Sequence, residues 1–167
     1  MKLKEILEMK TEQEAGTYAG VTFAPTTITA FKNFIKKYKI PNATPIEKLH
    51  TTLLYSRKPL PNYKPETHIN PPYVGTPENF EIWKTRDTES NCLILKYNCP
   101  GLIKRHNALM KEHEATFDFK DYIPHVTLSY NIGDMTLEDF GKPSELGDII
   151  INKEYSTVLD PDWAKKL

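Results

Sequence analysis

Hydrophobic and polar positions alternate through "GTYAGVTF" (16–23). Ala19, Val21 and Phe23 fall on one side and Tyr18, Gly20 and Thr22 on the other, as in a β-strand. The period then lengthens. In "TTITAFKNFIKKYKI" (26–40), Ile28, Phe31, Ile35 and Tyr38 share one helical face, and Thr26 or Thr27 is the expected N-cap. "EKLHTTLLYS" (47–56) returns to strand character. "RKPLPNYKPETHINPPYVGTPEN" (57–79) holds six of the chain's 13 prolines and reads as a long connection, because proline removes backbone donors that helices and ladders need. "FEIWKT" follows as a strand, then "NCLILKYN" as another. "PGLIKRHNALMKEHEA" is helical, with Leu102, Leu109 and Met110 inward. "DYIPHVTLSY" (121–130) and "DIIINKEYSTVL" (148–159) read as the last two strands.

Both halves therefore read strand, helix, strand, strand, a twofold structural repeat rather than a solenoid. The predicted class is α+β. One domain, 1–167, is expected to hold two pseudo-symmetric lobes around a central cleft. Lobe one takes about 16–56 plus 80–86, the connection 57–79, and lobe two about 91–160. A chain of 167 residues is long enough for one compact domain with a real core.

Charge narrows the function. Lys plus Arg equals Asp plus Glu, 22 each. This balance argues against a broad surface for duplex nucleic acid, which needs many phosphate-neutralising cations, and it leaves room for a local anion pocket. Cys92 and Cys99 offer neither a zinc cluster nor a disulfide framework, so a reduced, cytoplasmic setting is expected. "MKLKEILEMK" lacks the apolar core of a signal peptide, and no stretch reaches the length of a membrane span.

The third element of each half, a strand, carries the same chemistry: a histidine two residues before a threonine. Residues two apart on a strand share a face. His50 and Thr52 therefore project together, opposite Leu49, Thr51, Leu53 and Tyr55. His125 and Thr127 project together with Ser129, opposite Val126, Leu128 and Tyr130. With the apolar faces under the helices, the two His-Thr pairs converge in the cleft. Two imidazoles supply an acid and a base near neutral pH. Two threonine hydroxyls donate to non-bridging oxygens of a phosphodiester. No metal and no cofactor is required. Structural readings stand beside this one: the spacing alone is weak, and His106 and His113, on the inward side of a helix, fit partly buried core roles. His68 falls in the connection and reads as solvated.

"KLHTTLL" and "PHVTLSY" resemble the H-x-[ST] signatures of the 2H phosphoesterase superfamily. "GTYAGVTF", "EIWKTRD", "FDFKDYIPHVTLSY" and "NKEYSTVLDPDW" are similar to segments of the phage anti-CBASS protein family, so the resemblance covers about residues 16–163. It does not account for the first fifteen residues or for the length of the Pro-rich connection. The resemblance implies a bilobal 2H fold and metal-independent cleavage of 3′–5′ linkages in cyclic di- and trinucleotides, through a 2′,3′-cyclic phosphate. It implies His50 and His125 as general base and acid, in either order, with Thr52 and Thr127 on the phosphate. It implies Tyr18 and Trp83 as base-stacking residues and Glu154 as a reader of adenine. From the residues alone, Tyr18 and Trp83 also fit core packing and Glu154 a solvated carboxylate. Two other functions use the same pattern: a 2′,3′-cyclic phosphodiesterase or RNA-end-processing enzyme, and a non-catalytic protein that sequesters messengers. If phage-encoded, the protein would act in the host cytoplasm.

Overall fold

A computed structural model describes residues 15–85 and 89–159. The expected lobe limits at 86 and 160, and the reading of the N-terminus, lie outside the described residues. β1 (Thr17–Phe23) leads to helix α1 (Pro25–Lys37) and β2 (Thr51–Ser56). β3 (Tyr73–Lys84) and β4 (Asn91–Asn98) follow, then helix α2 (Pro100–His113), β5 (His125–Ser129) and β6 (Ile149–Val158). The six strands form one antiparallel sheet in the order β2-β1-β6-β3-β4-β5.

The repeat is present, with its closing strands exchanged. β3, from the first half, pairs with β4 along most of its length, whereas β6, from the second half, pairs with β1. The strand at 80–84 therefore belongs to the sheet of lobe two, and the last strand to that of lobe one. Within the sheet, Tyr73–Gly75 of β3 meets β6 in three residue pairs, and an isolated Ala43–Ser129 bridge joins the two halves as well. β3 also begins inside the segment expected to be a connection. Pro77 is tolerated because the register shifts between Pro77 and Asn79, where a missing donor costs least.

Each helix starts on a proline at its first position, where no N–H is needed. The N-cap of α1 is thus Ala24, not Thr26 or Thr27. Thr27 is buried inside the first turn. Its hydroxyl donates to Asp148 O at 3.2 Å and accepts from Ile150 N at 2.9 Å, tying α1 to β6. Phe31 and Phe34 of α1, and Leu102 and Leu109 of α2, join Ala19, Val21, Leu93, Leu95, Ile149 and Ile151 in one apolar core. Full burial of each such side chain contributes about 1.5–3 kcal/mol. The sheet curls until its outer strands meet: Thr51 Oγ1 on β2 donates to His125 O on β5 at 2.8 Å.

Candidate active site

A β-bulge follows the threonine in both motifs. Gly20 faces Thr52 while Ala19 faces Leu54, so Leu53 is the extra residue. Ile94 faces Thr127 while Leu93 faces Ser129, so Leu128 is the extra residue. A bulge shifts every later side chain to the other face. Tyr55 consequently joins Thr52, against the simple alternation. Ser129 leaves Thr127, is fully buried, and donates to Pro41 O at 2.6 Å. Before each bulge the expected pairing holds, and His50 and Thr52, like His125 and Thr127, are half-buried neighbours on one face.

Both imidazoles are held in the same way. His50 Nδ1 lies 2.8 Å from Lys48 O, and His125 Nδ1 lies 2.8 Å from Ile123 O, each the carbonyl two residues earlier. A carbonyl only accepts, so Nδ1 carries the hydrogen and a neutral ring presents an unprotonated Nε2. Burial, chiefly, holds the His125 pKa below its ordinary 6.5, and the nearby His50 and Lys96 push the same way.

Trp83 is 39 % exposed, and its ring centroid sits 4.8 Å from that of His125 at 56°. The indole donates to Glu81 Oε1 at 2.9 Å. Glu81 also meets Lys96 Nζ at 2.8 Å, and these hydrogen bonds, Lys96 first, push its carboxyl down to about 2. Lys96 faces His125 across the β4–β5 ladder, so a cation stands beside the second motif. Thr52, Tyr55, Trp83 and His125 line a cavity of about 280 Å³, closed by Phe117, Phe119, Tyr122 and Ile123, with Asp121 at its edge. Among the described residues, a wider hollow near Gly16, Leu60, Tyr63 and Val158 is lined by no imidazole and no charged group.

Tyr18 is only 7 % exposed, on the floor beside the first motif. Its hydroxyl is 2.9 Å from Thr52 Oγ1, and its ring meets that of His50 edge-on at 6.3 Å. Burial raises the Tyr18 pKa far above its usual value, so the phenol stays protonated. Little of the ring is left for a base to stack on. The face next to it is covered, because Tyr155 lies over Gly20, where a Cβ would meet its hydroxyl at 2.5 Å.

Glu154 is not in this cleft. The register shift between Thr22 and Phe23 leaves it opposite Val21, on the core side, completely buried. Arg105 Nε and Nη2 each donate to its carboxylate at 3.1 Å, and the Tyr63 hydroxyl donates to it as well. It is not a solvated carboxylate: it faces the core, and Tyr155 takes the cleft side of β6.

His106 has the core role expected of it. It is 4 % exposed, stacks on Tyr122 at 4.1 Å, and meets Leu53 O through Nδ1 at 2.7 Å. His113 meets Tyr63 edge-on at 5.8 Å. Lys96, Glu81, Tyr55, Tyr155 and the Phe117–Ile123 wall escaped the sequence reading. "FDFKDYI", alternating aromatic and charged residues just before a motif, was the available signal for the wall. Among the described residues no three His, Cys, Asp or Glu side chains gather as a metal site, no helix is long and apolar enough to cross a membrane, and both cysteines are free and buried.

A curled antiparallel sheet carrying two His-x-Thr strands defines the 2H phosphoesterase fold. The crystal structure of E. coli LigT in apo form matches it with a TM-score of 0.51 at 13 % identity, over 87 % of this chain and 95 % of that one, a likeness of fold alone. The narrower kinship is in the sequence: the chain belongs to the anti-CBASS protein Acb1 family, whose profile matches residues 15–166. Anti-CBASS protein Acb1 of Enterobacteria phage T4 is 34 % identical over 161 residues, 91 % of this chain and 93 % of that protein. Its counterpart in Acinetobacter phage Ac42 is 34 % identical over 166 residues, covering 98 % and 99 %.

Proposed function

We propose that this protein is a metal-independent phosphodiesterase that opens cyclic di- and trinucleotide messengers at a 3′–5′ linkage, and so counteracts CBASS immunity in the cytoplasm of a phage-infected host. Family membership supports the biological role. One observation carries the chemistry: two imidazoles, each with Nδ1 fixed on the carbonyl two residues earlier, each beside a threonine.

In the proposed reaction the ribose 2′-hydroxyl attacks the adjacent phosphorus. His125, whose buried site favours the neutral ring, takes the 2′ proton on Nε2. The P–O2′ bond forms and the P–O5′ bond breaks. His50, as imidazolium, gives its proton to the departing 5′-oxygen, leaving a 2′,3′-cyclic phosphate. Thr52 and Thr127 donate to the non-bridging oxygens. Tyr18 OH lies 2.9 Å from Thr52 Oγ1, a bond that either hydroxyl can donate; with the phenol as donor, the threonine hydrogen is free for phosphate. Lys96 supplies positive charge near the phosphate, and Trp83 holds a base beside His125.

The test incubates purified protein, in EDTA, with cyclic dinucleotides, cyclic trinucleotides and a 2′,3′-cyclic mononucleotide. Breakdown of the cyclic oligonucleotides is expected. Turnover of the mononucleotide alone would make it a 2′,3′-cyclic phosphodiesterase, and tight binding without turnover a sequestering protein. Activity lost in EDTA and restored by a divalent ion would overturn the metal-free chemistry.

A further inference from the structure

We propose that Thr51, the middle residue of the first His-x-Thr motif, is the positioning residue that sets the separation of the two imidazoles. This rests on the reading that His50 and His125 share one phosphodiester site. Thr51 points away from the cleft, opposite His50 and Thr52, and is 1 % exposed. Its hydroxyl accepts from Tyr97 OH at 2.7 Å and donates to the backbone carbonyl of His125 at 2.8 Å. Tyr97, on β4, is also 1 % exposed, so water does not replace either bond.

The location gives these bonds their purpose. β2 and β5 are the two outermost strands of the sheet, so no ladder runs directly between the motifs. Residues 41–44 tie the later part of β5 to the first half, with Thr44 Oγ1 donating to Thr127 O at 2.7 Å, and of these ties that of Thr51 alone reaches His125 itself. Thr51 spans that gap from lobe one, gripping the backbone of the histidine in lobe two. The return grip is Tyr122, three residues before His125, whose hydroxyl donates to Thr52 O at 2.6 Å. Each motif thus has a backbone carbonyl held by a hydroxyl from the other half. Tyr97 fixes the Thr51 rotamer by using its lone pair, which directs the threonine hydrogen at His125 O. An apolar residue of the same shape would fill the space and leave the joint ungripped. A misplacement of about 1 Å between reacting groups costs up to about 100-fold in rate.

The test compares Thr51→Val, Thr51→Ser and Tyr97→Phe. Rates are measured on a cyclic dinucleotide, imidazole titrations by NMR, and folding by circular dichroism. Thr51→Val should lower kcat about 10- to 100-fold with KM within about twofold, and Thr51→Ser should restore it. The titration is a readout that needs no substrate. His125 feels His50 from β2, Lys96 from β4 and Glu81 from β3. Loosening the grip relaxes the His50 repulsion, so the His125 midpoint should move up toward 6.5 in Thr51→Val and stay in place in Thr51→Ser. Wild-type kcat and midpoint in Thr51→Val would overturn the proposal, as would equal damage from serine and valine. If Thr51→Val does not fold, Tyr97→Phe decides: a several-fold fall in kcat supports the grip and an unchanged kcat refutes it. Failure of the wild-type protein to cleave any cyclic oligonucleotide would instead refute the proposed function, and the titration would still judge the grip.

Discussion

Replacing Trp83 by alanine removes three things at once, and they are separable. The first is a surface for a nucleobase. The indole is 39 % exposed beside His125, and a base stacked on an aromatic ring contributes about 1–3 kcal/mol. Its loss should lower kcat/KM for a cyclic dinucleotide by about 5- to 150-fold. The second is the cover over His125. Burial is the main cause holding that imidazole below 6.5, so uncovering it lets the ring titrate closer to 6.5. A base must be neutral, so the acid limb of kcat/KM should move to higher pH. The third is the indole hydrogen bond to Glu81, which matters least, because Lys96 still holds that carboxylate. Trp83→Phe should therefore retain most of the stacking and most of the cover. The assay is kcat/KM between about pH 5 and pH 8, on a cyclic dinucleotide and on a 2′,3′-cyclic mononucleotide. An equal fall on both substrates would refute the stacking role. An unmoved acid limb would refute the assignment of His125 as base.

His50→Ala and His125→Ala should each cost about 10²–10⁴-fold in single-turnover rate while calorimetric affinity holds, and the double variant should be little worse than the poorer single one. Near-wild-type rates in either would break the shared site. Tyr18→Phe removes the 2.9 Å contact with Thr52 and should lower kcat about 2- to 10-fold, the equivalent of one ordinary hydrogen bond; an unchanged kcat would dismiss that contact. Glu154→Ala strands a largely buried Arg105, which among the described residues keeps Glu66 at 3.7 Å. Urea unfolding should show a loss of about 3 kcal/mol, with activity per folded molecule preserved. Burial also holds His106 below 6.5, so the folded state resists its protonation. The stability it contributes is complete above 6.5 and is lost as pH falls through its lowered folded pKa. His106→Asn should therefore flatten the fall of the urea midpoint on acidification.

The order of elements was legible because each helix and strand has its own hydrophobic period, and because the chain repeats the order. The exchange of closing strands was not legible. Their patterns do not say which lobe each completes: β3 joins lobe two through a hairpin with the adjacent β4, whereas β6 completes lobe one by pairing with β1, near the other end of the chain. The catalytic faces were legible only up to Thr52 and Thr127. The bulges at Leu53 and Leu128 leave no mark in composition, yet they carry Tyr55 into the cleft and Ser129 out of it. The placement of Glu154 was hidden by the same geometry on β6, where a one-residue shift turns the carboxylate inward to Arg105. Thr27 illustrates the remaining limit. A threonine near a helix start reads as a cap, but Pro25 had already supplied the start, and the hydroxyl served β6 instead.

The repeat makes two half-sites alike, and the chemistry needs them to differ. The backbone supplies the likeness: the same spacing, the same bulge after threonine, the same carbonyl on Nδ1. A base and an acid must nevertheless hold opposite protonation states at one pH. The asymmetry comes from neighbours that the repeat does not copy. His125 lies under Trp83 and beside Lys96, surroundings that disfavour a charged ring. His50 lies against the edge of Tyr18, whose phenol stays protonated and shares a hydrogen bond with Thr52. Transplanting the difference is therefore a matter of side chains alone. Removing Lys96 and Trp83 together should let the His125 midpoint rise toward 6.5, and the rate should fall even though all four motif residues remain.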